Sequence, residues 1–85
     1  MDKRDKDLIH QIQGEKIGSE KTEWGYNLDL YRYRVFADGP DEAIIVAWER
    51  ALSARRNVFG NRGARRAPGQ SHQYFVVIEV QVWPA

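Results

Sequence analysis

Arginine is the residue type of this chain that is best suited to bind an anionic partner. Six arginines fall between positions 50 and 66, and no aspartate or glutamate occurs from position 50 to position 78. The guanidinium group is planar, permanently charged and able to donate two parallel hydrogen bonds to a phosphate or a carboxylate. This composition predicts an anion-binding segment built from Arg50, Arg55, Arg56, Arg62, Arg65 and Arg66.

The small net charge hides a strong asymmetry between the two parts of the chain. Residues 1–49 carry seven Lys or Arg and eleven Asp or Glu, a balance of −4. Residues 50–85 carry six Arg and one Glu, a balance of +5, which leaves the whole chain at +1. A concentrated positive segment is typical of nucleic-acid-binding proteins, but a solvated surface loop has the same composition. Both interpretations stay open at this point.

Arg32 and Arg34 alternate along a segment rich in β-forming residues. Because side chains alternate between the two faces of a strand, we expect both arginines on the outer face, where they extend the positive surface. The structural alternative is that they pair across strands with Glu79 or Asp29.

Aromatic side chains offer a second kind of recognition chemistry. If Tyr31 and Tyr33 faced outward, they would form a stacking platform for unpaired bases, although we expect them to pack under the helix. Trp48 lies on the apolar face of the predicted helix, which indicates a core position. Trp24 and Trp83 fall at strand ends, where they either cap the core or anchor an interface.

The remaining polar residues do not form a catalytic or metal-binding pattern. His10 and His72 are far apart in the sequence, and no serine lies in a nucleophile-elbow context. The absence of cysteine excludes disulfides and thiolate metal sites. Asp38, Asp41 and Glu42 surround the start of the predicted helix, where acids stabilise the helix dipole. We expect no enzyme activity, no cofactor and no bound metal.

A helix is predicted over residues 38–56, directly before the positive segment. Pro40 suits the first helical position, with Gly39 or Asp38 as the N-cap residue. The apolar residues that recur at helical spacing are Ile44, Ala47, Trp48, Ala51 and Leu52.

Strand signals lie on both sides of this helix. Residues 8–17 resemble a weak edge strand, and residues 18–21 have the composition of a turn. Residues 24–37 and 73–83 are rich in β-branched and aromatic side chains. Residues 57–72 contain three glycines and a proline, so we expect a long basic loop there.

The second predicted strand has two apolar sets that cannot share one face. Leu28 and Leu30 alternate on one side, whereas Tyr33 and Val35 alternate on the other. Either a bulge near Leu30 and Tyr31 resets the alternation, or both faces are partly covered. We favour the bulge, which leaves the two arginines of this strand on the outer face.

Together these signals predict one small α+β domain over residues 1–85. It has an antiparallel sheet of three or four strands with one helix packed on one face, in the order β-β-α-β. Residues 1–7 are charged and predicted to be frayed. No apolar run approaches the length of a membrane span, and the lack of cysteine fits a reducing compartment. We therefore expect a cytoplasmic protein that does not contact a membrane.

The segment from Val35 to Leu52 resembles the strand-to-helix junction of HicB-type antitoxins and of dodecin-like single-helix sheets. This resemblance implies topology alone.

We expect a small non-enzymatic binding protein that uses residues 50–66, with Arg32 and Arg34, on nucleic acid in a regulatory role. The alternative is a protein-interaction module, such as a phage or mobile-element inhibitor or accessory protein. Such a module would dock on an acidic protein surface, or self-assemble as a homodimer through the uncovered sheet face.

Overall fold

A computed structural model describes residues 13–83, which form a four-stranded antiparallel sheet with one helix on one face. The strands stand in the spatial order β1-β2-β4-β3. The predicted α+β class is confirmed, with a further strand after the helix. Residues 1–7 and the first part of the predicted strand 8–17 lie outside the described residues. The elements are β1 (Glu15–Lys21), β2 (Asn27–Phe36), α1 (Pro40–Ser53), β3 (Val58–Arg66) and β4 (Gln73–Val82).

The helix α1 begins at Pro40 with Gly39 as its N-cap residue, as the sequence predicts. The Glu42 carboxylate accepts a hydrogen bond of 2.9 Å from the backbone N–H of Asp38. This contact ties the residue before the N-cap to the first helical turn.

The helix ends at Ser53 rather than at residue 56, because a Schellman motif closes its last turn. The backbone N–H of Arg56 donates to the carbonyl of Ala51, and that of Arg55 donates to the carbonyl of Leu52. Arg55 has a φ of 60°, the left-handed conformation that this motif requires and that glycine adopts most easily.

The predicted basic loop at residues 57–72 is wrong over most of its length, because residues 58–66 form β3. β3 pairs with β4 through two irregularities, between Val58 and Gly60 and between Asn61 and Ala64. Each bulge resets the alternation of side chains, so the segment shows no period of two in its sequence. The arginines of this segment are therefore held on a strand, and the connection to β4 is short.

The expected bulge in β2 is also wrong, because β2 pairs with β4 without interruption from Asn27 to Phe36. The alternative holds: β2 has buried residues on both faces, although the face away from α1 is covered only in part. Leu28 and Leu30 are 5% and 9% exposed on the face away from α1, whereas Tyr33 is fully buried on the face towards it. Arg32 and Arg34 lie on the face away from α1, as predicted, but Leu28 and Leu30 share this face with them, which was not expected.

The hairpin between β1 and β2 turns later than the sequence predicts. Residues 18–21 belong to β1, and the turn is closed by Thr22, whose N–H and Oγ1 both donate to the Tyr26 carbonyl. Gly25 takes a φ of 86° within this turn. Trp24 and Tyr26 therefore precede β2 rather than belonging to it.

The core lies between α1 and the two central strands. α1 contributes three fully buried alanines at a spacing of four residues, Ala43, Ala47 and Ala51, whose small side chains let the helix approach the sheet closely. Trp48 packs against this core but is only partly buried, and Leu52 is 53% exposed. Within residues 13–83, no helix combines the length and apolar character needed to cross a membrane.

Candidate anion-binding surface on the open sheet face

The face of the sheet opposite α1, which we call the open face, is defined by the strand register. Residues of β2 and β4 that alternate with the core positions point to this side. They are Leu28, Leu30, Arg32, Arg34 and Phe36 on β2, and Phe75, Val77, Glu79 and Gln81 on β4.

Three arginines of the open face surround Phe75, and we call these four residues the arginine cluster. The register places Phe75 between Arg34 on β2 and Arg65 on β3. The guanidinium carbon of Arg32 lies 5.3 Å from the centre of the Phe75 ring. The sheet thus brings together arginines that are more than thirty positions apart in the sequence.

Arg32 and Arg65 are exposed to a ligand, whereas Arg34 is partly buried and its Nε atom is fully buried. Arg32 pairs with Glu15 at 2.8 Å, and both side chains are more than 40% exposed. Arg34 donates a hydrogen bond of 3.2 Å to the Gln73 side chain. Within residues 13–83, no carboxylate pairs with Arg65. Because an exposed ion pair adds little stability, a phosphate can take the place of Glu15 on Arg32.

The expected partners of Arg32 and Arg34, Glu79 and Asp29, have other contacts. Asp29 lies on the helix side of the sheet, where it accepts from Ser19 at 2.7 Å and pairs with Lys16 at 3.4 Å. Glu79 pairs with Arg62 instead. The prediction of those pairs is therefore wrong, because β1 supplies Glu15 as the cross-strand neighbour of Arg32.

Two adjoining hollows open around the cluster and share Arg32 and Phe75. The larger has a volume of about 560 Å³, and its apolar wall includes Ile17, Pro68 and Val77. The smaller, about 310 Å³, lies between Glu15 and Arg34. Positive side chains on an apolar floor can bind a ligand that has both charge and a flat apolar part.

Arg62 also lies on the open face, but its charge is balanced by two carboxylates. Its Nε donates to Glu79 at 3.2 Å and its Nη1 donates to Glu20 at 3.0 Å, and Nη2 contacts Glu20 as well. The hydrogen bond from Arg62 lowers the pKa of Glu20, and the same contact raises the pKa of Arg62. We call this arrangement the Arg62 bridge.

The Arg62 bridge joins opposite edges of the sheet. Arg62 is on β3 and Glu20 is on β1, and three interstrand spacings, about 14 Å in a flat sheet, separate those strands. The register places Leu28 opposite Glu20, and Leu30 opposite Glu79. The bridge therefore crosses the open face where the two buried leucines lie.

The other arginines predicted to bind a partner are placed away from the cluster. Arg56 donates to the Tyr33 hydroxyl at 2.7 Å and to the Gln13 carbonyl, and lies 3.9 Å from the Tyr31 ring centre. Arg66 lies 5.9 Å from the Tyr74 ring centre. Arg50 is partly buried near the end of α1, and Arg55 is exposed just beyond it.

Tyr31 and Tyr33 do not form an outward stacking platform. Both are part of, or pack against, the core on the helix side, and Tyr33 is fully buried. Burial raises the pKa of the Tyr33 hydroxyl, although the positive charge of Arg56 opposes this effect. Phe75 provides an aromatic ring on the open face instead. The sequence signal for it is the second apolar alternation of β4, at Phe75 and Val77.

A separate group of aromatic rings, which we call the aromatic cluster, surrounds Tyr26. Its ring centre lies 6.2 Å from that of Trp24, 5.9 Å from that of Phe59 and 6.1 Å from that of Trp83. Trp24 and Trp83 are 75% and 69% exposed, so neither caps the core.

The structure assembles no metal-binding group of three or more acidic or histidine side chains among residues 13–83. His72 lies 3.8 Å from Asp38, and both side chains are largely exposed. His10 lies outside the described residues.

Comparisons with protein-family models, with curated proteins and with solved structures found no match to this chain.

Proposed function

We propose that this protein binds single-stranded nucleic acid through the arginine cluster, in a regulatory role that involves no catalysis. The observation that carries this proposal is the placement of Arg32, Arg34 and Arg65 around Phe75 on the open face, on which no other element of residues 13–83 packs. A cytoplasmic location, expected from the cysteine-free sequence, is part of the proposal.

Each component of the cluster matches one component of a nucleotide. Guanidinium groups bind phosphate oxygens through bidentate, charge-assisted hydrogen bonds. An aromatic ring stacks on an unpaired base, a contact worth about 1–3 kcal/mol per base. A base within a duplex is already stacked on its neighbours, so the ring favours a single strand over a duplex.

A binding assay with a matched pair of variants tests this proposal. Fluorescence anisotropy with labelled single-stranded RNA and DNA of mixed sequence gives the affinity. The same measurement on a duplex of that sequence gives the preference for a single strand over a duplex. We expect F75L to weaken single-strand binding by about tenfold, because it keeps an apolar side chain but removes the ring. The control is F59L, the same change in the aromatic cluster, which should leave the affinity unchanged.

Three results would contradict the proposal. The first is that the natural chain does not bind nucleic acid at low salt. The second is that F75L and F59L lose the same amount of affinity. The third is that the natural chain binds the single strand and the duplex with equal affinity. Circular dichroism of each variant shows whether the fold is retained.

The aromatic cluster favours the alternative proposal, a protein-interaction module. Exposed tryptophan and tyrosine are enriched at the energetic centres of protein interfaces, and two tryptophans stand exposed here. In this alternative the protein is an inhibitor or accessory protein that docks on another protein through Trp24 and Trp83. A partner that binds the natural chain but not the W24A/W83A variant, with nucleic-acid binding absent from both, would favour it.

A further inference from the structure

α1 carries apolar side chains that the other elements of residues 13–83 cover only in part, since Trp48 packs partly on the core while its neighbours Ile45 and Leu52 are exposed. Asp41, Ile45, Trp48 and Leu52 recur at spacings of four, three and four residues, and we call them the helix stripe. Ile45 is 57% exposed and Leu52 is 53% exposed. Spacings of three and four place side chains along one line of a helix, as in helices that pair with each other.

Opposite charges stand at the two ends of this stripe. Asp41 lies in the first turn of α1, and Arg55 follows its last turn. Both are exposed, and neither forms an ion pair within residues 13–83. Arg55 also holds a φ of 60°, a conformation that destabilises a residue with a Cβ atom. An arginine at this position therefore lowers the stability of the single chain, and no ion pair within the described residues offsets the loss.

We propose that a second copy of this chain packs on the helix stripe, with the two α1 helices antiparallel about a twofold axis near Trp48. Asp41 lies in the first turn of α1 and Arg55 lies just beyond its end, so the antiparallel pair brings Asp41 of each copy to the helix end that carries Arg55 of the other. Ile45 and Leu52, three and four residues from Trp48, lie within one residue of facing each other across the same axis. In this arrangement apolar residues meet apolar residues and opposite charges meet, so the surface is complementary to itself, as a twofold interface requires.

This dimer is independent of the proposed nucleic-acid binding. α1 and the arginine cluster lie on opposite faces of the sheet, so pairing through α1 leaves both open faces exposed. A helix of 14 residues is about 21 Å long, which gives an interface at the small end of the range for specific complexes. We therefore expect a weak dimer that forms at high protein concentration.

Charge exchange tests this arrangement directly. Sedimentation equilibrium of the full chain at low salt should show the mass rise from one chain to two as the concentration increases. D41R and R55D should each weaken dimerisation about tenfold, because each places like charges opposite one another twice in the dimer. The double variant D41R/R55D restores both opposite-charge pairs, so its dissociation constant should return to within about threefold of the natural value.

Two further variants locate the interface. L52D should abolish the dimer, whereas F36D, which adds the same charge to the open face, should leave it intact. A mass of one chain at every concentration overturns the proposal. The proposal is also overturned if D41R/R55D dimerises as weakly as the single variants, or if F36D disrupts the dimer as much as L52D does. Thermal unfolding of each variant at low concentration confirms that the single chain folds.

Discussion

Arg62 and Arg65 lie three residues apart on β3 and both reach the open face, yet their surroundings differ. Arg62 contacts two glutamates, one on β4 and one on the far edge strand. Arg65 pairs with no carboxylate within residues 13–83 and stands beside the Phe75 ring, with Arg32 and Arg34 on the other side. The same residue type therefore forms part of the fold in one place and an accessible positive surface in the other.

This difference is set by strand register rather than by local composition. Between residues 50 and 78 there is no acidic residue, so the sequence makes every arginine of that segment appear uncompensated. The fold supplies Glu79 and Glu20 to Arg62 from other strands, and it supplies Tyr31 and Tyr33 to Arg56. A count of arginines thus overstates the binding surface, and the cross-strand neighbours decide which arginines belong to it.

The largest effect should come from removing the charges of the arginine cluster. We expect the triple variant R32Q/R34Q/R65Q to bind single-stranded nucleic acid about 100-fold more weakly at low salt, since three phosphate contacts are lost. The slope of log affinity against log salt should become shallower by about 2, at roughly 0.7 per contact. The triple variant R50Q/R55Q/R66Q loses the same charge outside the cluster. An equal loss of affinity in that variant would show that general positive charge, not the cluster, binds the ligand.

Breaking the Arg62 bridge should have the opposite effect: it should lower the stability of the fold and leave the affinity for nucleic acid nearly unchanged. We expect R62Q to lower the thermal midpoint by about 2–4 °C, mainly because Glu79, whose side chain is only 17% exposed, loses its partner, since the exposed pair with Glu20 adds little. Affinity for nucleic acid, measured below the unfolding transition, should change less than threefold. A large loss of affinity with unchanged stability would place Arg62 in the binding surface and remove the distinction between the two regions.

Arg55 belongs to neither region, and replacing it should stabilise the chain. Because the Schellman motif holds residue 55 at a φ of 60°, R55G should raise the free energy of unfolding by about 0.5–1 kcal/mol. Denaturant unfolding at low protein concentration measures this change, and R55A, which keeps the Cβ atom, should show no such gain. Equal stability of R55G and R55A would contradict this account of the helix end.

The smallest effect should be a dependence of the Arg62 bridge on pH. The folded state holds the pKa of Glu20 below its ordinary value of 4.5, through the hydrogen bond from Arg62. The stabilisation is therefore complete above pH 4.5 and is lost as the pH falls through the lowered folded pKa. The difference in thermal midpoint between the natural chain and E20Q should shrink over that range. E23Q, which removes an exposed acid of the hairpin turn, is the control, and a difference independent of pH would contradict the assignment.

The sequence predicts the elements in which apolar residues recur at a single regular spacing. Pro40 and the apolar spacing predicted α1, and the unbroken alternation from Tyr74 to Val82 predicted β4. β3 was not accessible, because two bulges interrupt its alternation and its glycines have the composition of a loop. The phase of β2 was misjudged because Leu28 and Leu30 are buried on the face away from α1, where the register places them beside Glu20 and Glu79.

The candidate site could be predicted from the sequence only in part. Four of the eight arginines singled out from the sequence, Arg32, Arg34, Arg62 and Arg65, do meet on one face. Their division into two regions depends on contacts between residues that are 17 to 42 positions apart, which no local pattern encodes. Phe75 was overlooked because an apolar residue on a central strand is normally a core residue.

Nuclear magnetic resonance of the arginine side chains tests the division between the two regions most directly. A titration of the ¹⁵N-labelled chain with a short single-stranded oligonucleotide reports each arginine Nε–Hε group separately. The account predicts large shifts at Arg32, Arg34 and Arg65 and at the Phe75 backbone, with the Arg62 signal little changed. Shifts concentrated at Arg50, Arg55 and Arg56, or of similar size at Arg62 and Arg65, would contradict it.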